Sequence, residues 1–140
     1  MKAIKIVIDT SVAVKWLNAQ EEKLVEQADK ILKDFERGKC EIFMPELARY
    51  EIGNALLHKK MTAPEFKLSL ASFYAIPIKF VPEDLEMAKE TAEIAVKTGM
   101  TYYDACFVTL AKKLGAKLVT DNPRHQGKFA EVKVLALKDY

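Results

Sequence analysis

Residues Thr98 to Asn122 read TGMTYYDACFVTLAKKLGAKLVTDN. Gly99 marks one helix stop and Gly115 another, and the pattern between them predicts a helix from Tyr102 to Leu114. Lys117 to Thr120 then predicts a strand. The helix is apolar on nearly every side through Ala105, Cys106, Phe107, Val108, Leu110, Ala111 and Leu114, so it is expected to be largely buried. Asp104 stands in its first turn and therefore needs a partner. An unpaired buried carboxylate costs several kcal/mol or shifts its pKa until it is neutral, so the options are a backbone cap, a basic side chain or a metal ion. Thr101 followed three residues later by Asp104 resembles a capping box with Asp in place of Glu, which is the simplest reading of Asp104 by itself. Asp121, where the next strand ends, makes the metal reading competitive.

Upstream of this stretch, Lys2 to Ile8 is an apolar run rich in isoleucine and valine, predicting a central strand that ends at Asp9. Thr10 and Ser11 follow, and Val12, Ala13, Val14, Trp16 and Leu17 then suggest a short helix, with Asp9 at the carboxyl end of the strand and the amino end of this helix, where capping is its ordinary role. Leu24, Val25, Ala28, Ile31, Leu32 and Phe35 recur at helical spacing between Glu21 and Arg37, and Gly38 stops that helix. Glu41 to Met44 predicts a strand closed by Pro45. The next helix carries Leu47, Ala48, Ile52, Ala55 and Leu56 on one stripe, with Glu51 and Asn54 beside it. Pro64 is placed to open a further helix. Ile76 to Val81 predicts a strand that, because of Pro77, lies at an edge or begins after the proline. Glu83 to Lys97 predicts another helix. Downstream, NPRHQGKF is expected to be a loop and Glu131 to Leu137 a final strand.

Strands alternating with helices, without repeats or a linker, predict a single α/β domain over residues 1–140, a three-layer α/β/α sandwich around a mainly parallel sheet of about five strands. In such a sheet the carboxyl ends of the strands share one edge, and ligands bind there. Asp9 and Asp121 fall on that edge, Asp104 begins a helix leading away from it, and Glu51 is expected about two turns into the helix after Pro45. Carboxylates crowded together repel, and a divalent cation relieves the repulsion. Mg²⁺ or Mn²⁺ suits hard oxygen ligands of this kind. With only His58 and His125, and with Cys40 and Cys106 far apart, neither a zinc site nor a disulfide framework is suggested.

The net charge is only +2, from 22 basic and 20 acidic residues, so a bulk electrostatic case for nucleic acid is weak and must rest on local clustering. Lys15, Arg124 and His125 are candidate phosphate contacts, with Arg49, Lys59, Lys60 and Lys128 nearby; lysines on helices are more often simply solvated. Trp16, Tyr102 and Tyr103 could stack on bases, although aromatics at helical spacing are more often core. The apolar start ends at Asp9, too short for a signal sequence or a membrane span, so a cytoplasmic protein without membrane attachment is expected.

Four blocks, IDTSV, ELARYEIGNAL, TYYDACFVTLA and LVTD, resemble in order those of the PIN domain family, and most closely the VapC-type ribonuclease toxins of toxin–antitoxin pairs. The resemblance covers essentially the whole chain. It implies a PIN-like fold and a Mg²⁺- or Mn²⁺-dependent ribonuclease with an acidic site of Asp9, Glu51, Asp104 and an acid in the last block, with Ser11, Asn54 and Thr120 in support. It also implies an RNA substrate, a homodimer and an antitoxin protein partner. In the last block the family commonly has threonine, any residue, then aspartate, whereas here Thr120 is followed directly by Asp121 and then Asn122. Strict alignment puts Asn122 at the acidic position; Asp121 is the only acid there and is expected to fill it. The metal is expected on Asp9, Asp104 and Asp121. Two other classes share these features: a PIN-fold module that binds RNA or protein without chemistry, which Asn122 would favour, and a phosphohydrolase of small phosphoesters, which would be expected to show DxD where this chain has DTS.

Overall fold

Ile6, Val7 and Ile8 are shielded almost completely, so the first strand, β1 (Ile4–Ile8), is covered on both faces and sits at the middle of the sheet. The computed structural model describes residues 2–140. It continues with α1 (Thr10–Leu17), α2 (Val25–Glu36), β2 (Cys40–Pro45), α3 (Ala48–Leu57), α4 (Ala63–Ala75), β3 (Lys79–Val81), α5 (Leu85–Thr98), α6 (Tyr102–Leu114), β4 (Lys117–Thr120), α7 (Pro123–Gln126) and β5 (Val134–Ala136). A 3-10 turn, Leu137–Asp139, follows.

The strand order is β3-β2-β1-β4-β5 and every neighbouring pair is parallel. Each strand end therefore points the same way, and each connecting segment must cross over. Helices α5 and α6 pack as a pair, with α6 against β1 and β2, while α1 contacts α2, α3 and α4. A hydroxyl pair, Thr91 Oγ1 donating to Thr109 Oγ1 at 2.8 Å, satisfies the two buried polar groups between α5 and α6.

Local chemistry explains the boundaries. Thr62 and Thr101 cap α4 and α6, accepting from the backbone N–H of Glu65 and Asp104 respectively. Gly99 and Gly115 end α5 and α6 with φ of 77° and 61°, values that favour a residue without a Cβ. The strand after Pro77 is shorter than the sequence pattern suggests and begins at Lys79, at the sheet's edge, because the proline lacks the donor that a ladder needs. Helix α2 begins at Val25, later than its apolar periodicity indicates, since Leu24 is left-handed with φ of 57°. The final strand is only Val134–Ala136.

One expectation is corrected outright. The segment after Asn122 is not all loop: Pro123 to Gln126 form the short helix α7. Proline with its fixed φ suits the first helical position. Gly127 then permits closure, since a Cβ on it would lie 2.6 Å from the Pro123 carbonyl oxygen. This turn places Gln126 in the interior.

Candidate active site

β1 ends in Asp9, whose backbone N–H still donates to Val119 O at 2.9 Å, so the residue is fixed by the sheet before its side chain makes any contact. Asp9 also caps α1. Its Oδ2 accepts from Ser11 N at 3.2 Å and Ser11 Oγ at 2.6 Å, and from Thr120 Oγ1 at 3.3 Å; Oδ1 accepts from Gln126 Nε2 at 3.2 Å. Donors from β4, α1 and α7 thus converge on one carboxylate and fix its rotamer. The same carboxylate thus caps α1 and receives donors from β4 and α7.

Glu51 arrives from α3. Thr10 Oγ1 donates to its Oε1 at 2.8 Å, tying the helix to the turn that follows β1. Asp104 enters from the first turn of α6, where its N–H bonds Thr101 Oγ1 at 3.1 Å. Glu51 and Asp104 both feel the neighbouring acids. Burial, then the charges of Asp9 and Asp104, push the Glu51 carboxyl above its ordinary range against the opposing hydrogen bond from Thr10. Burial, then the Asp9 charge, likewise raise Asp104, opposed by a hydrogen bond from Thr101 and by the nearby His125.

Among the described residues, no ion pair involves Asp9, Glu51 or Asp104. The arrangement is thus an excess of negative charge offering oxygen donors. Among the described residues, no group of three or more His, Cys, Asp or Glu side chains is placed to hold a metal ion by itself. That is no obstacle for Mg²⁺, which keeps several waters and is held by one or two carboxylates. The donor set fits a hard divalent cation.

Asp121 does not face this cluster as expected. Its Oδ2 lies 3.0 Å from Lys15 Nζ, and its N–H donates to Ser11 Oγ at 3.1 Å. Lys15 in turn is no surface phosphate contact. Only 3% exposed, it also bonds Glu22 Oε1 at 2.9 Å and Lys23 O at 2.7 Å, and Glu22 is shared with Lys59. A buried ammonium needs such partners, and Asp121 is one of them. Asn122 caps α7 without a side-chain bond, and its N–H donates to Thr120 Oγ1 at 3.1 Å.

Ser11 Oγ and Thr120 Oγ1 both donate to Asp9 Oδ2. Asn54 is exposed one turn beyond Glu51 on α3. Arg124 and His125 are exposed on α7. Arg49 is removed from the cluster: its guanidinium lies over Tyr74 and Phe80, 4.6 and 3.9 Å from the ring centroids. Trp16 Nε1 donates to Ala28 O and Tyr102 OH to Glu83 Oε1, so both aromatics are tied to the fold.

Two site residues escape a reading of the sequence. Thr10 had a weak signal as the middle residue of DTS. Gln126 had none, since its role depends on α7; its amide bridges Asp9 Oδ1 and, at 3.4 Å, Asp104 O.

Acids gathered from a strand end and from two helices place the chain among α/β folds that keep their chemistry on the carboxyl edge of the sheet. The chain belongs to the PIN domain family, whose family model matches residues 6–134. Ribonuclease VapC3 of Pyrobaculum aerophilum is 32% identical over 133 residues, an alignment covering 90% of this chain and 95% of that protein. Among solved structures, VapBC2 from Rickettsia felis, bound to a DNA fragment from its promoter, superposes with a TM-score of 0.72 at 12% identity, covering 95% of this chain and 98% of that one. VapC20 of Mycobacterium tuberculosis, a toxin that cleaves the sarcin-ricin loop, gives 0.68 at 15% identity, covering 91% and 98%. At these identities the two structures establish likeness of fold. No helix among the described residues is long and apolar enough to cross a membrane.

Proposed function

We propose that this protein is a ribonuclease of the VapC type, hydrolysing RNA phosphodiester bonds at Asp9, Glu51 and Asp104 with Mg²⁺ or Mn²⁺, and that it is the toxin of a toxin–antitoxin pair. The observation that carries the reading is the convergence of three carboxylates with no basic ion-pair partner among the described residues, where burial and the charges of Asp9 and Asp104 push Glu51 up and burial and the charge of Asp9 push Asp104 up. The 32% identity with Ribonuclease VapC3 supports the substrate class. Structural neighbours that are VapBC assemblies support an antitoxin partner. A homodimer and a cytoplasmic location belong to the same proposal.

Asp9 and Asp104 would hold the cation, with Glu51 alongside. When bound, the cation supplies a water of lowered pKa and neutralises charge developing on the phosphate. Ser11, Thr120 and Gln126 keep Asp9 in one orientation. Glu51 Oε1 is held by Thr10, which leaves Oε2 to take the proton of the attacking water. Burial, the leading cause that raises the Glu51 pKa, favours uptake of a proton by that carboxylate. Arg124 and His125, on α7 beside the acids, provide phosphate contacts. Asp121 and Asn122 act through the loop between β4 and α7; the Asp121 carboxylate, occupied by Lys15, is a structural anion here.

The direct test incubates purified, antitoxin-free protein with a panel of structured and single-stranded RNAs in Mg²⁺, Mn²⁺ or EDTA. Cleavage in either metal and none in EDTA is the expected result. Intact RNA throughout, with no Mn²⁺ binding by calorimetry, would transfer the weight to a PIN-fold binding module.

Gln126 offers a finer test. Replacing it with Leu keeps the bulk but removes the amide that holds Asp9 and α6 together. Losing an outer partner of a metal-binding side chain typically costs about 10- to 100-fold in metal affinity or activity. Gln126→Leu is expected to show a loss of that size in cleavage rate, with an unchanged far-UV circular dichroism spectrum; a wild-type rate would remove Gln126 from the site.

A further inference from the structure

Beside the acids lies a cleft of about 530 Å³, lined by Thr10, Leu47, Tyr50, Glu51, Asn54, Ala55 and Tyr103. Leu47, Tyr50, Glu51, Asn54 and Ala55 follow the spacing i, i+3, i+4, i+7, i+8, so they form one continuous face around α3. Tyr103 closes the cleft from a different helix, α6, one residue before Asp104. Thr10 and Glu51 belong at once to the cleft and to the acidic site. Whatever occupies the cleft is therefore adjacent to the scissile position.

Its two aromatic residues are not covered by the protein. Tyr50 is 79% exposed and Tyr103 65%, unlike Trp16 and Tyr102, which are bonded back to the fold. Two large exposed rings flanking acids on a small domain present π surfaces to solvent, and their adjacency to Glu51 and Asp104 places them where a nucleotide next to the cleaved bond would lie. Cleft volumes of this size accommodate small ligands, and base–aromatic stacking tolerates every base because each has a π face. Asn54 adds an amide that can both donate and accept at the rim.

We propose that this cleft is a nucleobase subsite, in which Tyr50 and Tyr103 stack an unpaired base of the RNA strand adjoining the acidic site. The proposal rests on the ribonuclease reading and narrows its substrate to RNA that is single-stranded at the cut, since a base held in a duplex cannot enter. Stacking needs the ring and not the hydroxyl, which gives the proposal a sharp signature: phenylalanine replaces tyrosine without loss.

Fluorescence anisotropy with 5′-labelled octaribonucleotides of A, U, C and G, in the Asp104→Asn background so that no strand is cut, reads the subsite directly. Tyr50→Ala and Tyr103→Ala are each expected to weaken binding by about 5- to 100-fold, the loss that one stacked base contact carries, while Tyr50→Phe and Tyr103→Phe stay within about 3-fold of the parent. Because both side chains are largely exposed, their truncation leaves the core untouched. Equal affinities for alanine and parent proteins, or no octamer binding by the parent, would overturn the subsite and leave the cleft to a protein segment. Cleavage by the wild-type chain is scored separately: tyrosine-dependent binding without any cleavage would sink the nuclease reading and keep the subsite, whereas cleavage with tyrosine-independent binding would do the reverse.

Discussion

Asp104→Asn is expected to abolish RNA cleavage and, at neutral pH in metal-free buffer, to make the protein more stable. The first effect follows from the proposed role of the carboxylate. Outer partners of metal ligands cost up to about 100-fold when lost, and a ligand itself should cost more. The second follows from the raised pKa of Asp104, caused by burial and by Asp9. A carboxyl whose folded pKa lies above its unfolded one binds its proton more tightly in the folded state, so its ionisation on raising the pH subtracts stability. That cost is absent well below the ordinary value of 3.8 and fully present above the folded pKa. The asparagine cannot ionise and escapes it. Thermal unfolding followed from pH 3 to pH 8 should therefore show the variant's advantage growing with pH and vanishing at the acid end. A variant that is inactive because it is less stable than wild type at pH 7 would contradict both the site and the electrostatics. Glu51 should respond too: removing the Asp104 charge lowers its pKa, because that charge is among the causes raising it.

Lys15→Met is expected to give the largest loss of stability of any substitution discussed here. The methionine fills similar space, but Asp121 loses its partner and Glu22 keeps only Lys59. Removing one member of a buried ion pair typically costs about 3–5 kcal/mol. Asp121 and Glu22 retain some access to water, with side chains 33% and 19% exposed, so the lower end, about 3 kcal/mol, applies. For a chain of this size that corresponds to a fall of about 6–12 °C in the unfolding midpoint. Burial alone would lower the Lys15 pKa, yet hydrogen bonds to Glu22 and Asp121, reinforced by their charges, raise it. Burial alone would raise that of Glu22, yet Lys59 and Lys15 hold it down. Stability from the lysine is thus complete below its ordinary value of 10.5 and lost as the pH climbs through the folded value; that from Glu22 is complete above 4.5 and lost as the pH falls through its depressed value. The penalty of the substitution should be greatest between these limits. A midpoint unchanged at pH 7 would show that the network contributes nothing net.

These two residues also show what a sequence can and cannot convey. Asp104 was conspicuous because a charge interrupts an otherwise apolar helix, and Asp9 because an apolar run stops on it. Both signals are local. The edge position of β3 was likewise legible, through the missing donor of Pro77. Lys15 sends no comparable signal: a lysine on a short helix looks solvated until Glu22 and Asp121, the latter from the far end of the chain, are seen closing around it. The expectation that Asp121 would join the other acids failed for this reason, since position at a strand end fixes where the backbone arrives but not which cation its side chain meets. Gln126 was hidden because α7 is a single turn, shorter than any periodicity can reveal.

The strand order has a temporal meaning. β1 is made first yet lies between β2 and β4, and β4 begins at Lys117. Until that late strand is synthesised, one flank of β1 has no partner, and Asp9 lacks Val119 O for its N–H and both Thr120 and Gln126 for its carboxylate. Domains generally fold as units during synthesis, so this one has to wait for the strand that completes its sheet. Before β4 and α7 are made, Ser11 alone among the donors described holds the Asp9 carboxylate, so a chain stopped short of Lys117 carries all three acids without the full set of contacts that fixes the first of them.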